Sequence, residues 1–184
     1  MKRLMDILLS LIALLLLSPL LLLAAIAVAA ESGLPVLFKQ RRIGLGDREF
    51  GMYKFRSMVK NAAAIGPYYT DTDDPRITRV GRFIRRTSID ELPQLLNVLK
   101  GDMSLVGPRP DVPEQRKLYA EEDWVLRCSV RPGITGWSQA MYRSGGSPEL
   151  RLGLDLRYAR EHNTWLDLRI LAMTFKRLSG KGSN

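Results

Sequence analysis

The sequence predicts a predominantly helical α+β protein, with an N-terminal membrane helix over residues 1–30 and one further domain over residues 31–184. Three observations predict it. A nearly continuous apolar run opens the chain, two β-prone runs joined by a glycine-containing segment follow, and two later stretches carry apolar residues at helical spacing. The residues after the apolar run suffice for one domain of ordinary size.

In residues 4–30 only Asp6, Ser10 and Ser18 are polar. As a helix this stretch is about 40 Å long, more than a bilayer core of about 30 Å requires. Pro19, at its midpoint, has no N–H and crowds the preceding turn at a cost of about 3 kcal/mol. Ser18 beside it can satisfy the carbonyl so freed. Lys2 and Arg3 precede the run, and Lys39, Arg41 and Arg42 follow it. Positive charge on both flanks favours a re-entrant helix that breaks at Ser18-Pro19, dips into the membrane and returns to the same face. A cleaved signal peptide is the alternative, suggested by Ala27-Val28-Ala29. Its apolar core runs only about 7–15 residues, and Asp6 sits where such a leader carries positive charge.

Residues 34–58 read as a short β-hairpin, with Val36-Leu37-Phe38 and residues 50–55 flanking Ile43-Gly44-Leu45-Gly46-Asp47. Strand alternation puts Lys54 and Arg56 on one face and Tyr53 and Phe55 on the other. Asp71, Asp73 and Asp74 before Pro75 read as a turn rather than a metal cluster, because aspartates ahead of proline bond to their own backbone. Arg76, Arg79, Arg82 and Arg85, spaced by three, line one side of a helix, and Arg86 adjoins them. Such a stripe suits phosphate or lipid headgroups, with a plain solvated surface as the alternative.

Residues 89–100 form an amphipathic helix through Leu92, Leu95, Leu96 and Leu99, with Gly101 as its stop. Proline is tolerated only in the first turn, so Pro93 places the start near Asp90. Asp90 and Glu91 then lie at a helix N-terminus, where Ser88-Ile89-Asp90-Glu91 also reads as a capping box. Gly107-Pro108-Arg109-Pro110 and Arg131-Pro132-Gly133-Ile134-Thr135-Gly136 are rigid turns, each presenting an arginine. Residues 165–178 form a second amphipathic helix, with Leu168, Leu171, Phe175 and Leu178 on one face, suited to core packing or a membrane interface.

The formal charge is +9, of which Lys2, Arg3 and Asp6 contribute one, leaving +8 on the domain and calling for an anionic partner. One cysteine, Cys128, excludes an internal disulfide, and one histidine, His162, excludes histidine-rich zinc sites. A cytoplasmic-facing location fits. No Ser-His-Asp set, Walker motif or internal repeat is present, so any chemistry falls to carboxylates and cations.

Residues 74–82 (Asp-Pro-Arg-Ile-Thr-Arg-Val-Gly-Arg), 87–94 (Thr-Ser-Ile-Asp-Glu-Leu-Pro-Gln), 100–110 (Lys-Gly-Asp-Met-Ser-Leu-Val-Gly-Pro-Arg-Pro) and 131–137 (Arg-Pro-Gly-Ile-Thr-Gly-Trp) closely resemble the bacterial sugar transferase family. Its small members are monotopic polyprenyl-phosphate phosphoglycosyl transferases. The similarity runs from Asp6 through Ser18-Pro19 to Leu166-Asp167-Leu168, nearly the whole chain, and its extent matches the minimal catalytic unit of that family. One departure falls at Met141-Tyr142-Arg143-Ser144-Gly145-Gly146, which keeps the family's arginine and changes its neighbours. That bears on sugar specificity rather than on the reaction.

The resemblance implies a compact domain at the cytoplasmic face of the bacterial inner membrane, Mg²⁺ dependence and a covalent phosphosugar intermediate. Asp90 would attack the β-phosphate of a UDP-sugar and expel UMP, and polyprenyl (undecaprenyl) phosphate would then take the sugar phosphate from it. A carboxylate of ordinary pKa is ionised at neutral pH and is a competent nucleophile toward phosphorus. Glu91 would be the metal ligand, or secondly a general base, and Arg86, Arg109 and Arg131 would bind substrate phosphate. Lys54, Arg56, Arg143 and Asp155 are further pocket candidates. The expected partners are the UDP-sugar, the polyprenyl phosphate and membrane lipids, with no nucleic acid; the sequence leaves the oligomeric state open. The competing class is a membrane-tethered basic protein that binds nucleic acid or acidic lipid without turnover, with Asp90 and Glu91 merely capping a helix. A polytopic transferase is disfavoured by the single apolar segment.

Overall fold

The structure, a computed structural model, describes residues 1–66, 74–142 and 146–178. Its apolar helix α1 (Lys2–Ser32) is long and apolar enough to cross a membrane. The expected break at Ser18-Pro19 does not divide it: α1 is one helix running through Pro19. The reason is local. Pro19 cannot donate to the carbonyl of Leu15, and Ser18 Oγ donates to that carbonyl instead, at 2.8 Å.

One face of α1 packs on the domain in its first and last thirds, whereas Leu15, Leu16, Ser18, Pro19 and Leu20 between them are exposed. Asp6, Ser10, Ala24 and Val28 are buried, and Ala13, Leu14, Leu21 and Ala25 lean on the core. The opposite face is a row of exposed Leu and Ile side chains, with Leu15 76% and Leu16 73% exposed. Polar contacts fix both ends. Asp6 accepts from Ser104 Oγ and from the N–H of Leu105, Lys2 pairs with Asp167 at 2.6 Å, and Arg3 donates to the carbonyls of Val98 and Leu99. At the other end the carbonyls of Ser32 and Gly33 accept from Arg56.

The hairpin forms as read, with β1 (Leu37–Ile43) antiparallel to β2 (Glu49–Phe55) and Leu37 opposite Phe55. Gly46, at φ 64°, makes its turn. After α2 (Ala62–Ile65) comes α3 (Arg79–Arg86), capped by Thr78, whose hydroxyl accepts from the N–H of Gly81. The arginine stripe is shorter than expected. Arg76 lies ahead of the helix, buried against Asp74 at 2.6 Å, and Asp74 also takes the backbone N–H of Arg76 in the expected turn. Asp71 and Asp73 lie outside the described residues.

Helix α4 (Gln94–Lys100) starts four residues later than the predicted cap, with Pro93 at its N-cap and Gly101 ending it at φ 94°. Residues 89–91 form a 3₁₀ turn instead, entered through Ser88 at φ 58°. Proline's missing N–H and bulky ring are accommodated ahead of the α-helix, and the capping box does not form because other residues hold the Glu91 side chain. The residues just before Gly107-Pro108-Arg109-Pro110 pair with the 131–136 segment as short parallel strands that the sequence did not announce, β3 (Ser104–Val106) and β4 (Gly133–Thr135). A Cβ on Gly107 would lie 2.2 Å from the carbonyl oxygen of Arg131, which explains the glycine.

The chain continues through α5 (Glu121–Arg127), α6 (Trp137–Tyr142), α7 (Pro148–Glu161) and α8 (Thr164–Leu178). Met52, Leu95, Val98, Met103, Val106, Tyr158 and Ile170 form the main core. On α8 the predicted apolar face splits. Leu171 leans on that core, whereas Leu168 and Phe175 point outward with Trp165, which is 80% exposed.

Candidate active site

The 3₁₀ turn, β2, the segment after β3 and the helices α5 to α7 surround a cavity of about 890 Å³. Asp90, Glu91, Lys54, Arg109 and Asp155 all line it, so five residues singled out from the sequence come together. Four others do not. Arg56 caps the C-terminal end of α1. Arg131 donates to the carbonyl of Gly101 at the end of α4. Arg86 is exposed on α3 away from the cavity wall. Arg143 lies outside the described residues. Ser18 and Pro19 belong to α1, as already described.

At the centre, Glu91 Oε1 accepts from Lys54 Nζ at 2.9 Å and from Arg109 at 2.8 Å. Burial alone would raise the pKa of Glu91, but Arg109 and Lys54 outweigh it and pull it down to about 2. Glu91 is therefore ionised throughout the working pH range. Asp90 beside it is 7% exposed and takes no hydrogen bond among the described residues. Burial first, then the neighbouring Glu91 charge, push its pKa up to about 6 against the opposing pull of Lys54, Arg85 and Arg109. Two adjacent carboxylates thus have pKa values driven far apart.

A second ionic cluster braces the wall. The buried Arg127 donates to Asp111, to Asp155 at 3.0 Å and to the carbonyl of Arg109 at 2.6 Å, and Ser138 Oγ donates to the other oxygen of Asp155 at 2.7 Å. Arg127 thereby holds the backbone from which the Arg109 side chain reaches Glu91. Arg42, Arg85 and Arg151 add positive charge to the lining. Burial, with Arg109 nearby, lowers Arg42 to about 10, and Arg42 Nε and Arg85 Nη1 are buried without a hydrogen bond among the described residues. An anion brought among them would relieve both conditions.

Arg42, Arg127, Asp111 and Ser138 were missed from sequence, and Arg85 was read only as part of the phosphate- or headgroup-facing arginine stripe. For Arg85 a signal exists: it lies one turn beyond Gly81, the buried face of α3, so helix phase favours it over Arg86 as the inward arginine. Asp111 directly follows the Arg109 turn. Arg127 has no local signal, because its partners are distant in the chain.

Among the described residues, no group of three or more His, Cys, Asp or Glu forms a ready-made metal cage. Mg²⁺ commonly needs only one or two carboxylates, completing its shell with phosphate oxygens and water. Glu91 Oε2, which takes no hydrogen bond among the described residues, and the Asp90 carboxylate fit that requirement.

Comparison with known proteins adds to this geometry. Residues 1–181 match the family model described as bacterial sugar transferase. The chain is 47% identical to the undecaprenyl-phosphate glucose phosphotransferase of Komagataeibacter xylinus, over 96% of this chain and 35% of that protein. It is 44% identical to the UDP-N-acetylgalactosamine-undecaprenyl-phosphate N-acetylgalactosaminephosphotransferase of Aeromonas hydrophila, over 99% of this chain and 44% of that protein. It is 43% identical to EpsL, an uncharacterized sugar transferase of Bacillus subtilis (strain 168), over 97% of this chain and 87% of that protein. The chain therefore spans less than half the length of the first two relatives. A match from end to end, together with a cavity assembled from the motif residues, places this chain in the bacterial sugar transferase family.

Proposed function

We propose that this chain transfers a sugar 1-phosphate from a UDP-sugar to undecaprenyl phosphate, giving undecaprenyl diphosphate-sugar and UMP as the first membrane step of glycoconjugate assembly. The observation that carries this reading is Asp90, a carboxylate in a cationic cavity that no hydrogen bond engages among the described residues. A helix cap or a structural ion pair would be bonded. The substrates named for the relatives support the choice of donor and acceptor.

In the proposed reaction an Asp90 oxygen attacks the β-phosphorus of the donor. The bond from that phosphorus to the bridging oxygen breaks, UMP leaves with the electron pair, and the sugar phosphate stays on Asp90 as an acyl phosphodiester. A phosphate oxygen of the lipid then attacks the same phosphorus and the Asp90 carboxylate departs. Two steps let the water-soluble donor and the lipid acceptor use one site in turn. Arg42, Arg85 and Arg109 face the diphosphate charge, and Lys54 with Arg109 holds Glu91 in place. Mg²⁺, held through Glu91 with the substrate phosphates, would neutralise charge on the departing UMP.

For the membrane, the proposal is a re-entrant, monotopic helix at the cytoplasmic face. The polar ties of both ends of α1 to the same domain support this reading over a straight span. The exposed Trp165, Leu168 and Phe175 of α8 suit an interfacial position.

The test is to incubate the purified chain with UDP-sugars, Mg²⁺ and undecaprenyl phosphate, following UMP release and intact mass. A sugar-phosphate adduct is expected on the wild type with donor alone, and neither adduct nor UMP on Asp90→Asn. An adduct on that variant would sink the nucleophile assignment. No UMP from any donor would favour a binding protein instead.

A further inference from the structure

Helix α3 carries a second cationic surface that the cavity does not use. Val80 and Ile84 pack with Ala24 and Val28 of α1, and a Cβ on Gly81 would meet the carbonyl oxygen of Ser57 at 2.0 Å. These contacts set the phase of the helix. Arg85 turns to the cavity, while Arg79, Arg82, Phe83 and Arg86 are exposed at the i, i+3, i+4 and i+7 positions of one face. The guanidinium groups of Arg82 and Arg86 make no ion pair or hydrogen bond among the described residues. Phe83 between them is 52% exposed.

The level of this face follows from α1. Its apolar run ends at Glu31 and Ser32, and the Glu31 carboxylate accepts the N–H groups of Arg79 at 2.8 Å and Val80 at 2.9 Å. Helix α3 therefore starts where the apolar stretch stops. If the final turns of α1 are in lipid, this helix lies among the headgroups, with cations for their phosphates and Phe83 for the acyl boundary.

We propose that the Arg79, Arg82, Phe83 and Arg86 face of α3 is a docking surface for anionic phospholipid headgroups, resting on the reading that α1 lies in the bilayer. Arginines near an anionic membrane strengthen attachment by about five-fold each, and the effect fades with salt. A basic face bearing an aromatic side chain suits an interfacial helix better than a water-exposed one. The surface would hold the cavity at a fixed height and tilt above the membrane.

The test uses the full chain, as wild type and as Arg82→Gln/Arg86→Gln, in nanodiscs of phosphatidylcholine alone or mixed equally with phosphatidylglycerol. Lipids that stay with the protein on gentle release are counted by native mass spectrometry. Wild type is expected to enter both kinds of disc and to retain phosphatidylglycerol preferentially from the mixed one. The double variant is expected to lose roughly ten-fold or more of that preference, as is wild type at high salt, which tests the charge with no substitution and no risk of misfolding. Equal preference in both proteins, unmoved by salt, would overturn the proposal. So would loss of oligonucleotide binding in the variant with lipid retention unchanged. Failure of wild type to enter pure phosphatidylcholine discs would instead sink the membrane reading of α1, and the docking surface with it.

Discussion

Asp90 sits under opposed influences, and their balance has measurable consequences. Burial and Glu91 hold its pKa at about 6, so below that pH the carboxyl is increasingly protonated and would lack the charge that the proposed attack requires. At low donor concentration the rate of UMP release should fall about ten-fold per pH unit below 6 and level off above it. A flat profile down to pH 5 would show that Asp90 is not the group whose ionisation limits the first step. The same shift predicts a stability effect. The fold favours neutral Asp90, so the stabilising contribution is complete below the ordinary value of 3.8 and is lost as pH rises through about 6. At pH 7 ionised Asp90 costs up to roughly 3 kcal/mol, and an amide of the same shape avoids it. Asp90→Asn should therefore melt several degrees above wild type at pH 7 and about level with it at pH 4. The sequence motifs located this pair, and Pro93 placed it close to a helix start. They did not reveal that Glu91 would be clamped while Asp90 stayed free, because the clamping residues Lys54 and Arg109 come from other parts of the chain.

Between elements, Arg127 is the main brace of the cavity. It joins α5 to α7 through Asp155 and to the segment after β3 through Asp111 and the Arg109 carbonyl. Replacing it with leucine leaves two buried carboxylates without their cation, a loss of roughly 3–5 kcal/mol by comparison with other broken buried pairs. Thermal melting should record that loss. Arg127→Lys, which keeps the charge but not the planar fork, should recover part of the stability while UMP release stays depressed, because lysine cannot bond Asp111, Asp155 and the Arg109 carbonyl together. Recovery of full activity by lysine would reduce Arg127 to a packing role. At this scale, legibility followed periodicity. The hairpin, the end of α4 at Gly101 and the extent of α8 were readable because alternation, a glycine stop or a 3.6-residue period marks each. Strands β3 and β4 were not, since three residues of mutual backbone pairing leave no pattern. The start of α4 was misplaced because proline can be accommodated by a 3₁₀ turn as well as by a first helical turn.

For the molecule as a whole, α1 is held by its polar residues as much as by its apolar ones. Lys2 and Arg3, read from sequence as flanking charges, are engaged with Asp167 and with the last carbonyls of α4. Asp6→Ala combined with Asp167→Ala should release the first turn of α1. Single cysteines at positions 1 and 49, in a Cys128→Ser background, would report it through labelling of intact cells with a membrane-impermeant thiol reagent. Both positions should be shielded in the otherwise unaltered chain, and position 1 should become reactive in a fraction of the doubly substituted molecules. Reactivity at position 1 before those substitutions would contradict a re-entrant helix. Hydropathy marked a helix long and apolar enough to cross a membrane, but the seam that fastens it became apparent only when Ser104, Tyr158 and Asp167 were seen against its first two turns.

The attachment of both ends of α1 to one domain also sets how the two proposed substrates arrive. In the proposed re-entrant arrangement the anchor is confined to a single leaflet, and the cavity would face water on one side and lipid headgroups on the other. The nucleotide sugar then reaches it by diffusion in three dimensions, at a frequency set by molarity. The lipid phosphate reaches it by diffusion in two, at a frequency set by its mole fraction in the leaflet and by the fluidity of the bilayer. Diluting the membrane with inert lipid would slow the second half of the reaction and leave the first untouched, even with every bulk concentration unchanged.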